Sequence, residues 1–358
     1  MNQYFSVSHR LFKTCLYTTI LIISGCSSDT EKMSFVNLYL KTEMLDSIPR
    51  DYNSEEPLRP LPTLDSLDYS APLVRLGKQL YHDPQLSGDG SRSCASCHDI
   101  SNGGDDGNRV SIGINNQIGS INSPTVLNAT FNFRQFWDGR AKDLESQAID
   151  PLTNPKEMGT HLGDLVARLS SADKYDQTFK DAFGDNKITV ERIIKAIASF
   201  ESMLITPSPF DRYLKGEKNA ISANAIHGYK LFKDFGCASC HQGINVGGNL
   251  FHKFGALHSI YEIETDADKG RENITNNQED RAVFKVPSLR NVALTAPYFH
   301  RGEVEELELA IQVMGLVQLN KDISDSDIEY IAEFLRSLTG EFSLATQIVT
   351  DSNSYGRD

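Results

Sequence analysis

The chain has 358 residues, of which 39% are hydrophobic and 23% are charged, a composition typical of one large or two ordinary globular domains. Its 35 basic and 48 acidic residues give a formal net charge of −13 at pH 7. An acidic surface of this kind repels phosphate backbones, so the composition argues against nucleic acid as a partner and favours a basic protein partner.

The first 25 residues have the features of a secretory signal peptide. Arg10 and Lys13 are their only charged residues, and the apolar run that follows is too short to span a bilayer comfortably. The segment ends in Ser24-Gly25-Cys26, which resembles a bacterial lipobox, so Cys26 would become the first residue of the exported protein and carry a lipid. A short N-terminal anchor helix with an incidental cysteine is the alternative. Both interpretations place the protein in the periplasm, tethered to a membrane.

Residues 26–60 are polar and interrupted by prolines, which is typical of a tether. Beyond them, apolar periodicity predicts amphipathic helices over residues 190–204 and 325–338, the second with Ser324 as its capping residue. Loops rich in glycine and asparagine cover residues 101–122 and 243–255, and alternating strand patterns are scarce. We therefore predict a mainly α-helical fold with long loops.

The sequence contains six cysteines, which in an exported protein would normally suggest disulfides. Cys15 and Cys26 belong to the N-terminal signals, and the other four form two copies of one motif, Cys94-Ala-Ser-Cys97-His98 and Cys237-Ala-Ser-Cys240-His241. In c-type haem attachment, two such thiols form thioethers and the adjacent histidine ligates the iron. The alternatives are a zinc site and a thioredoxin-like redox pair, and neither explains a histidine next to each pair in an exported chain.

This motif is the only internal repeat that we find in the sequence, and an apolar helical stretch precedes each copy. It predicts two cytochrome-c-like helical domains with long loops, each carrying one covalent haem c. Pro207, Pro209 and Gly216 interrupt the helical pattern between them. The predicted organisation is a signal peptide (1–25), a tether (26–60), a first haem domain (61–210), a second haem domain (211–345) and a tail (346–358).

From about residue 61 to 342 the sequence resembles the bacterial dihaem cytochrome c peroxidase family. The resemblance depends on the two haem motifs and on further motifs that follow one another in the family's order. These are Leu76-Gly77-Lys78, Asn122-Ser123-Pro124-Thr125, Phe136-Trp137-Asp138-Gly139-Arg140, Leu144-Glu145 with Gln147, Glu157-Met158, Pro209-Phe210-Asp211, Leu289-Arg290-Asn291, Thr295-Ala296-Pro297-Tyr298-Phe299-His300 and Leu338-Thr339-Gly340. The resemblance implies an enzyme that reduces hydrogen peroxide to water with electrons from a small donor protein, a cytochrome c or a cupredoxin.

In that family the N-terminal haem binds peroxide, and the C-terminal haem is an electron relay with histidine and methionine ligands. Carried over, His98 is the proximal ligand of the peroxidatic haem iron, and His241 and Met314 ligate the iron of the relay haem. A thioether ligand stabilises ferrous iron and raises the potential, which suits a relay. Without the resemblance, a lone methionine on a helical face indicates core packing.

Three further residues match positions that act in the family's chemistry. Glu157 matches the distal glutamate, which can move a proton between the two peroxide oxygens as general base and acid. Gln147 matches the glutamine that orients peroxide by hydrogen bonding. Trp137, the only tryptophan in the chain, matches the residue between the two haems, where its ring could bridge electron transfer. The ordinary alternatives are solvated polar side chains for the first two and an anchoring core aromatic for the third.

The family also places a calcium ion between its domains, bound by an asparagine side chain, backbone carbonyls and waters, which suit a hard cation. Asn122, Thr295 and Pro297 match these positions through the resemblance alone. The family is commonly homodimeric, which implies a homodimer here. His300 lies in a family motif, but its role is open.

One departure from the family lies in the loop after the first haem motif. Many members carry a histidine there, in a Ser-Ile-Gly-His context, that caps the peroxidatic iron while the enzyme is fully oxidised. This chain has Ser111-Ile112-Gly113-Ile114, and isoleucine cannot ligate iron. We therefore expect peroxide to bind without prior reduction of the relay haem.

Two other classes of function are the alternatives. A dihaem oxidase that acts on a protein substrate, like the methylamine dehydrogenase maturation enzymes of the same superfamily, would use a tyrosine on the second haem, where we assign Met314. An electron-transfer lipoprotein without catalytic activity would not need Gln147 and Glu157. We therefore predict a peroxidase.

Overall fold

The structure is a computed structural model that describes residues 55–62, 67–258 and 265–340, all within one compact unit of the chain. The predicted signal peptide, the lipidation site at Cys26, most of the predicted tether and all of the predicted tail lie outside these residues. Within them the fold is mainly helical, as predicted, with long loops between the helices. None of the described helices has the length and apolar character of a membrane span.

Five helices occur among the described residues of the N-terminal half: α1 (Pro72–Tyr81), α2 (Leu144–Thr153), α3 (Leu162–Ser170), α4 (Asp176–Phe183) and α5 (Val190–Glu201). The C-terminal half contains α6 (Pro209–Leu214), α7 (Ala223–Phe235), α8 (Asp266–Lys269), α9 (Glu272–Thr275), α10 (Leu307–Leu319) and α11 (Asp325–Arg336). Strands β1 (Phe251–Lys253) and β2 (Val283–Lys285) pair in antiparallel fashion, with His252 opposite Phe284. Strand β1 lies in a segment that the sequence analysis assigned to a loop, because three residues are too few to show an alternating pattern.

The two helices predicted from apolar periodicity both form, as α5 and α11. Thr189 caps α5, and the Ser324 hydroxyl caps α11 by accepting the backbone N–H of Asp327 at 3.2 Å. Both helices end before their predicted last residues, Leu204 and Leu338. Those two leucines are fully buried, so the apolar pattern continues into the core after the helical hydrogen bonds have stopped.

Two hydrophobic clusters form the core of the described residues. The first runs from Val74 to Leu204, and the second combines residues from Phe210 to Leu338 with Leu58. Leu58 belongs to the segment that the sequence analysis called a tether, but it is fully buried against the C-terminal half. The division between the clusters lies next to the domain boundary predicted at 210/211.

The same helix crossing occurs in each half. Gly77 of α1 lies against Ala196 of α5, and Gly228 of α7 lies against Tyr330 of α11. A Cβ atom at Gly77 would lie 1.9 Å from the carbonyl oxygen of Ala196, and one at Gly228 would lie 1.8 Å from that of Tyr330. Glycine is therefore required at both crossings for the backbones to approach.

The internal repeat extends well beyond the two haem motifs that the sequence analysis identified. Phe136 and Phe299 share a positive φ (67° and 68°), and each lies in a loop closed by one antiparallel bridge. Asn128 and Asn291 are also left-handed, and the Oδ1 atom of each accepts a backbone N–H from the segment that follows the last helix of its half. All these pairs have the same spacing along the chain, so the two halves share one backbone plan.

The halves also exchange backbone hydrogen bonds reciprocally. Asn122 donates its backbone N–H to the carbonyl of His300 at 2.9 Å, and Lys285 donates its own to the carbonyl of Trp137 at 2.8 Å. Trp137 and His300 are equivalent in the repeat, and so are Asn122 and Lys285. The contact between the halves therefore has the reciprocity of a two-fold axis.

Candidate active site

Both Cys-Ala-Ser-Cys-His segments fold as the same turn. Each begins with a short 3₁₀ helix, and the backbone N–H of the histidine bonds to the carbonyl of the first cysteine at 3.0 Å in both copies. None of the four cysteines forms a disulfide. The turn thus keeps two thiols and one imidazole on a single short segment, as thioether attachment and iron ligation require.

The two motif histidines are suited to ligate iron as neutral imidazoles. The Nδ1 atom of His98 lies 3.3 Å from the carbonyl oxygen of Gly104, and a proton held there leaves the Nε2 lone pair for a metal. The Nδ1 atom of His241 is buried and has no hydrogen-bond partner in the described part of the chain. Burial lowers the pKa of His98 below its ordinary value and that of His241 to about 4, so both rings are neutral at pH 7. These residues fit one covalent haem c at each motif.

A pocket lies beside the first haem motif and brings the predicted peroxidatic residues together. Cys94, Cys97 and His98 line it, and Gln147 of α2 and Glu157 from the turn after α2 also line it. These residues come from two separate parts of the chain. The structure therefore places the predicted acid–base residue and its predicted neighbour next to the same haem motif.

Sequence reasoning missed other residues that line this pocket, among them Arg92, Pro151 and Glu201. Glu201 is 6% exposed, and burial raises its pKa to about 8. A signal for it was available, because Glu201 interrupts the apolar face of α5 between Ile197 and Leu204, and a carboxylate on a buried helical face is uncommon.

The electrostatics of Glu157 suit proton transfer. Burial raises the pKa of this carboxyl group above its ordinary value, although the Asn154 hydrogen bond and the Arg140 charge act in the opposite direction. The Asn154 side-chain amide donates to Oε1 of Glu157 at 2.7 Å. Glu157 is therefore both oriented and partly desolvated.

The loop that contains Ile114 packs directly on the turn that carries Glu157. The backbone N–H of Ile114 donates to the Glu157 carbonyl at 2.8 Å, and the Ile114 side chain, 8% exposed, lies against Gly159. From another loop, Gly88 donates its backbone N–H to Met158 at 2.7 Å. Two loops thus hold the backbone of the Glu157 turn, and the Ile114 side chain contributes to the packing there.

Trp137 lies outside this pocket, at the contact between the two halves. Its Nε1–H donates to the backbone carbonyl of Asn122 at 2.9 Å, and its ring meets those of Phe284 and His300 edge-on. Asn122 in turn bonds to the carbonyl of His300. This links the predicted calcium ligand Asn122 to the segment that carries the other two, Thr295 and Pro297.

No group of three or more His, Cys, Asp or Glu side chains suited to a metal ion occurs among the described residues. The predicted calcium ligands are an amide and two carbonyls, so this finding does not concern them. The side-chain amide nitrogen of Asn122 donates to the carbonyl of Asn108 at 3.0 Å. This orientation assigns the donor role to nitrogen and leaves Oδ1 as an acceptor, the kind of atom that a hard cation prefers.

Met314 and Pro151 occupy the same place in the two halves. Helices α2 and α10 begin at equivalent residues, and Pro151 and Met314 are each the eighth residue of their helix. Pro151 lines the pocket beside the first haem motif. The half-buried Met314 therefore stands, in the second half, where a pocket-lining residue stands in the first.

Comparisons with known proteins agree with this architecture. The family described as di-haem cytochrome c peroxidase matches residues 71–219. The chain is 45% identical to "Cytochrome c551 peroxidase" of Nitrosomonas europaea over 80% of its own length and 85% of the relative's. It is also 45% identical to "Cytochrome c peroxidase Ccp" of Escherichia coli K12, over 83% of its own length and 64% of that protein.

Among solved structures, the fold matches a MauG-like protein associated with microbial copper homeostasis. The TM-score is 0.68 at 27% identity, over 82% of this chain and 96% of the other. The two relatives at 45% identity are both peroxidases by name. With its two haem motifs and its duplicated helical fold, the chain belongs to the dihaem cytochrome c peroxidase family.

Proposed function

We propose that the protein reduces hydrogen peroxide to water with electrons from a small donor protein, a cytochrome c or a cupredoxin. One observation carries this proposal: the pocket at the first haem motif contains Gln147 and a partly desolvated Glu157 whose pKa is raised. The two peroxidase relatives at 45% identity support it. The net charge of this chain, −13, suits a donor protein with a basic docking surface.

The two haems are held by equivalent residues. Cys94, Cys97 and His98 would hold the first, and Cys237, Cys240 and His241 the second, one in each proposed domain (61–210 and 211–345). Haem iron supplies the site at which peroxide is bound and reduced. Met314 is the proposed second ligand of the relay iron, which its equivalence to the pocket-lining Pro151 supports.

Glu157 is the proposed acid–base residue. Its carboxylate accepts the proton from one peroxide oxygen and returns it to the other, which can then leave as water. A raised pKa brings the carboxyl group closer to the pH at which it must both accept and donate. Gln147, on the wall of the same pocket, would orient peroxide by hydrogen bonding.

Trp137 is the proposed bridge for electrons between the two haems, and its position at the contact between the halves supports this role. Asn122, Thr295 and Pro297 are the proposed calcium ligands beside it. The cation would link loops from both halves, since Asn122 already bonds to the loop that carries Thr295 and Pro297.

The Ile114 loop is proposed to leave the first haem iron open to peroxide in the fully oxidised protein. The Ile114 side chain packs on Gly159, and the Ile114 backbone N–H bonds to the Glu157 carbonyl. These contacts hold the loop against the turn that carries the acid–base residue. Paramagnetic resonance of the fully oxidised protein tests this. One high-spin and one low-spin haem is expected, whereas two low-spin haems would contradict it.

We also propose that the protein is exported to the periplasm, anchored to a membrane through a lipid on Cys26, and homodimeric. Labelling with palmitate should mark the wild-type protein but not Cys26→Ser. Light scattering of the purified protein gives the oligomeric state. The family resemblance and the N-terminal sequence support these proposals.

The direct test of the function is peroxide-dependent oxidation of a reduced small cytochrome. Glu157→Gln should lower the rate by about 10²–10⁴-fold, the usual contribution of a general acid–base residue. Glu279→Gln, at an exposed position, is the matched control and should leave the rate unchanged. Wild-type protein without turnover would indicate an electron-transfer protein, and turnover only on a protein substrate would indicate an oxidase.

A further inference from the structure

His300 and Asp268 form a buried pair that the functions proposed above do not use. Both residues are 3% exposed, and Nε2 of His300 lies 2.9 Å from Oδ1 of Asp268. The other carboxylate oxygen of Asp268 accepts the backbone N–H and the hydroxyl of Thr265, at 2.9 and 2.8 Å. The carboxylate is therefore held in place from outside the pair, and it fixes the orientation of the imidazole.

The His300 ring belongs to a group of aromatic rings that ends on Trp137. It stacks on Phe284, with ring centroids 4.4 Å apart and an angle of 27° between the planes. Both rings meet the indole of Trp137 edge-on, His300 at 6.3 Å and Phe284 at 6.4 Å. Two rings thus adjoin the indole, one of which is anchored by a hydrogen bond.

A second connection between His300 and Trp137 passes through the backbone. The His300 carbonyl accepts the N–H of Asn122 at 2.9 Å, and the Asn122 carbonyl accepts the indole N–H of Trp137, also at 2.9 Å. One residue therefore acts on both ends of the indole, on its ring through the imidazole and on its N–H through Asn122.

We propose that His300, oriented by Asp268, is a positioning residue that fixes the plane of the Trp137 indole at the contact between the two halves. The proposal rests on the proposed role of Trp137 as the electron bridge. A phenylalanine at position 300 could stack on Phe284 equally well, but it could not bond to Asp268. Rotation about the last side-chain torsion of an aromatic residue is only loosely restricted, so the hydrogen bond supplies the restriction that stacking lacks.

The ordinary explanation of a buried imidazole–carboxylate pair is core stability. Such pairs are weak contributors to stability, because the desolvation of both groups offsets most of their attraction. An apolar pair would fill the same space without that cost. The presence of a hydrogen-bonded pair beside the only tryptophan of the chain therefore favours an orienting role.

The test uses the holoprotein and two measurements. Ultraviolet resonance Raman spectra of the indole report on Trp137 alone, because the chain has no other tryptophan. Rapid mixing of half-reduced protein with peroxide gives the rate of electron transfer between the haems. His300→Phe keeps the ring and removes the bond, Asp268→Ala keeps the ring and removes its acceptor, and Asp268→Asn retains an acceptor.

We expect shifted indole bands in His300→Phe and Asp268→Ala. Inter-haem transfer should slow by about tenfold, equivalent to ~1.36 kcal/mol on the barrier. Both haem potentials should stay unchanged. Asp268→Asn should return both measurements toward wild type, and His227→Gln, at an exposed position on α7, is the control.

Wild-type indole bands in whichever of the two disruptive variants retains its haems would overturn the proposal, and so would an unaltered transfer rate beside shifted bands. Trp137→Phe separates this failure from that of the proposed function. If Trp137→Phe transfers electrons at the wild-type rate, Trp137 is not the bridge, and the indole spectra alone then decide whether His300 positions it.

Discussion

Helix α2 in the N-terminal half and helix α10 in the C-terminal half begin at equivalent residues but carry different side chains at equivalent positions. The fourth and eighth residues are Gln147 and Pro151 in α2, and Ala310 and Met314 in α10. A polar residue and a residue without a metal-binding atom line a reaction pocket in the first half. A small residue and a thioether replace them in the second half, which suits the proposed relay role of that half. In the proposed function, these two side chains on one backbone plan distinguish the peroxide site from the electron relay.

The largest expected effect concerns Met314. Met314→Leu should lower the potential of the second haem by on the order of 0.2 V, part of the ~0.8 V range that axial ligands cover, because the thioether stabilises ferrous iron. A redox titration followed by absorption measures it. Met203→Leu, a buried methionine of the first cluster, serves as control. An unchanged titration would make Met314 a packing residue and weaken the comparison between α2 and α10.

The next effect concerns Arg290, whose equivalent in the first half is the buried Leu127. Arg290 bonds to both carboxylate oxygens of Asp211 at 2.9 Å, and both residues are 1% exposed. Burial alone would raise the pKa of Asp211, but the Arg290 guanidinium, together with the backbone N–H groups of Ser208 and Leu61, keeps that pKa below its ordinary value. Arg290→Leu copies the first half and should cost about 3–5 kcal/mol in the free energy of unfolding, because it leaves a buried charge unpaired.

Denaturant titration of the holoprotein measures this cost. The double variant Arg290→Leu with Asp211→Asn should recover part of it, since it removes the unpaired charge. Arg109→Leu, which breaks an exposed ion pair with Glu303, gives the scale of a surface effect. If Arg290→Leu costs no more than Arg109→Leu, the buried pair is not what stabilises the second half.

The two glycine crossings test whether the halves are equivalent in energy as well as in shape. Gly77→Ala and Gly228→Ala should each cost about 1–3 kcal/mol, because the added Cβ collides with a backbone carbonyl. Gly163→Ala in α3 meets only the His161 ring, at 3.3 Å, and should be neutral or stabilising. Denaturant titrations compare the three. A cost at one crossing alone would show that the halves respond differently to the same contact.

The smallest expected effect is a shift in the pH dependence of peroxide reduction, which depends on Glu157 in the first half. As the pH is lowered, Glu157 is protonated at a higher pH than an ordinary glutamate, whose pKa is ~4.3, because its pKa is raised. The protonated group cannot accept a proton from peroxide, so the rate of peroxide reduction should fall as the pH decreases through that pKa. Asn154→Ala removes a hydrogen bond that lowers this pKa, so the fall should move to higher pH. A rate profile identical in both proteins would remove Glu157 from the acid–base role.

Much of the candidate site could be predicted from the sequence because its chemistry is local. Two thiols and a histidine within five residues define haem attachment wherever the segment lies, and the periodicity of α5 and α11 is also contained in their own residues. The grouping of Gln147 and Glu157 beside His98 is not local. It was predicted from the family resemblance, and the pocket contains all three.

The remaining features depend on contacts between distant residues. The pair of Arg290 and Asp211, the packing of Leu58 and the reciprocal bonds of Asn122 and Lys285 join segments far apart in the chain. The repeat escaped detection beyond the haem motifs because backbone conformation is duplicated where the side chains differ, as at Trp137 and His300. Any residue type can supply a backbone carbonyl, so hydrogen bonds to backbone carbonyls cannot be predicted from the sequence.

The reciprocal bonds between Asn122 and His300 and between Lys285 and Trp137 make the contact between the halves isologous, as in a two-fold homodimer. Each half contributes one backbone donor and one backbone acceptor, so the same hydrogen bond forms twice across the contact. The covalent connection between the halves then contributes mainly a high effective concentration of one surface near the other. The fold is in this sense a dimer whose two subunits have been tied together, and each of them is free to specialise for one of the two haems.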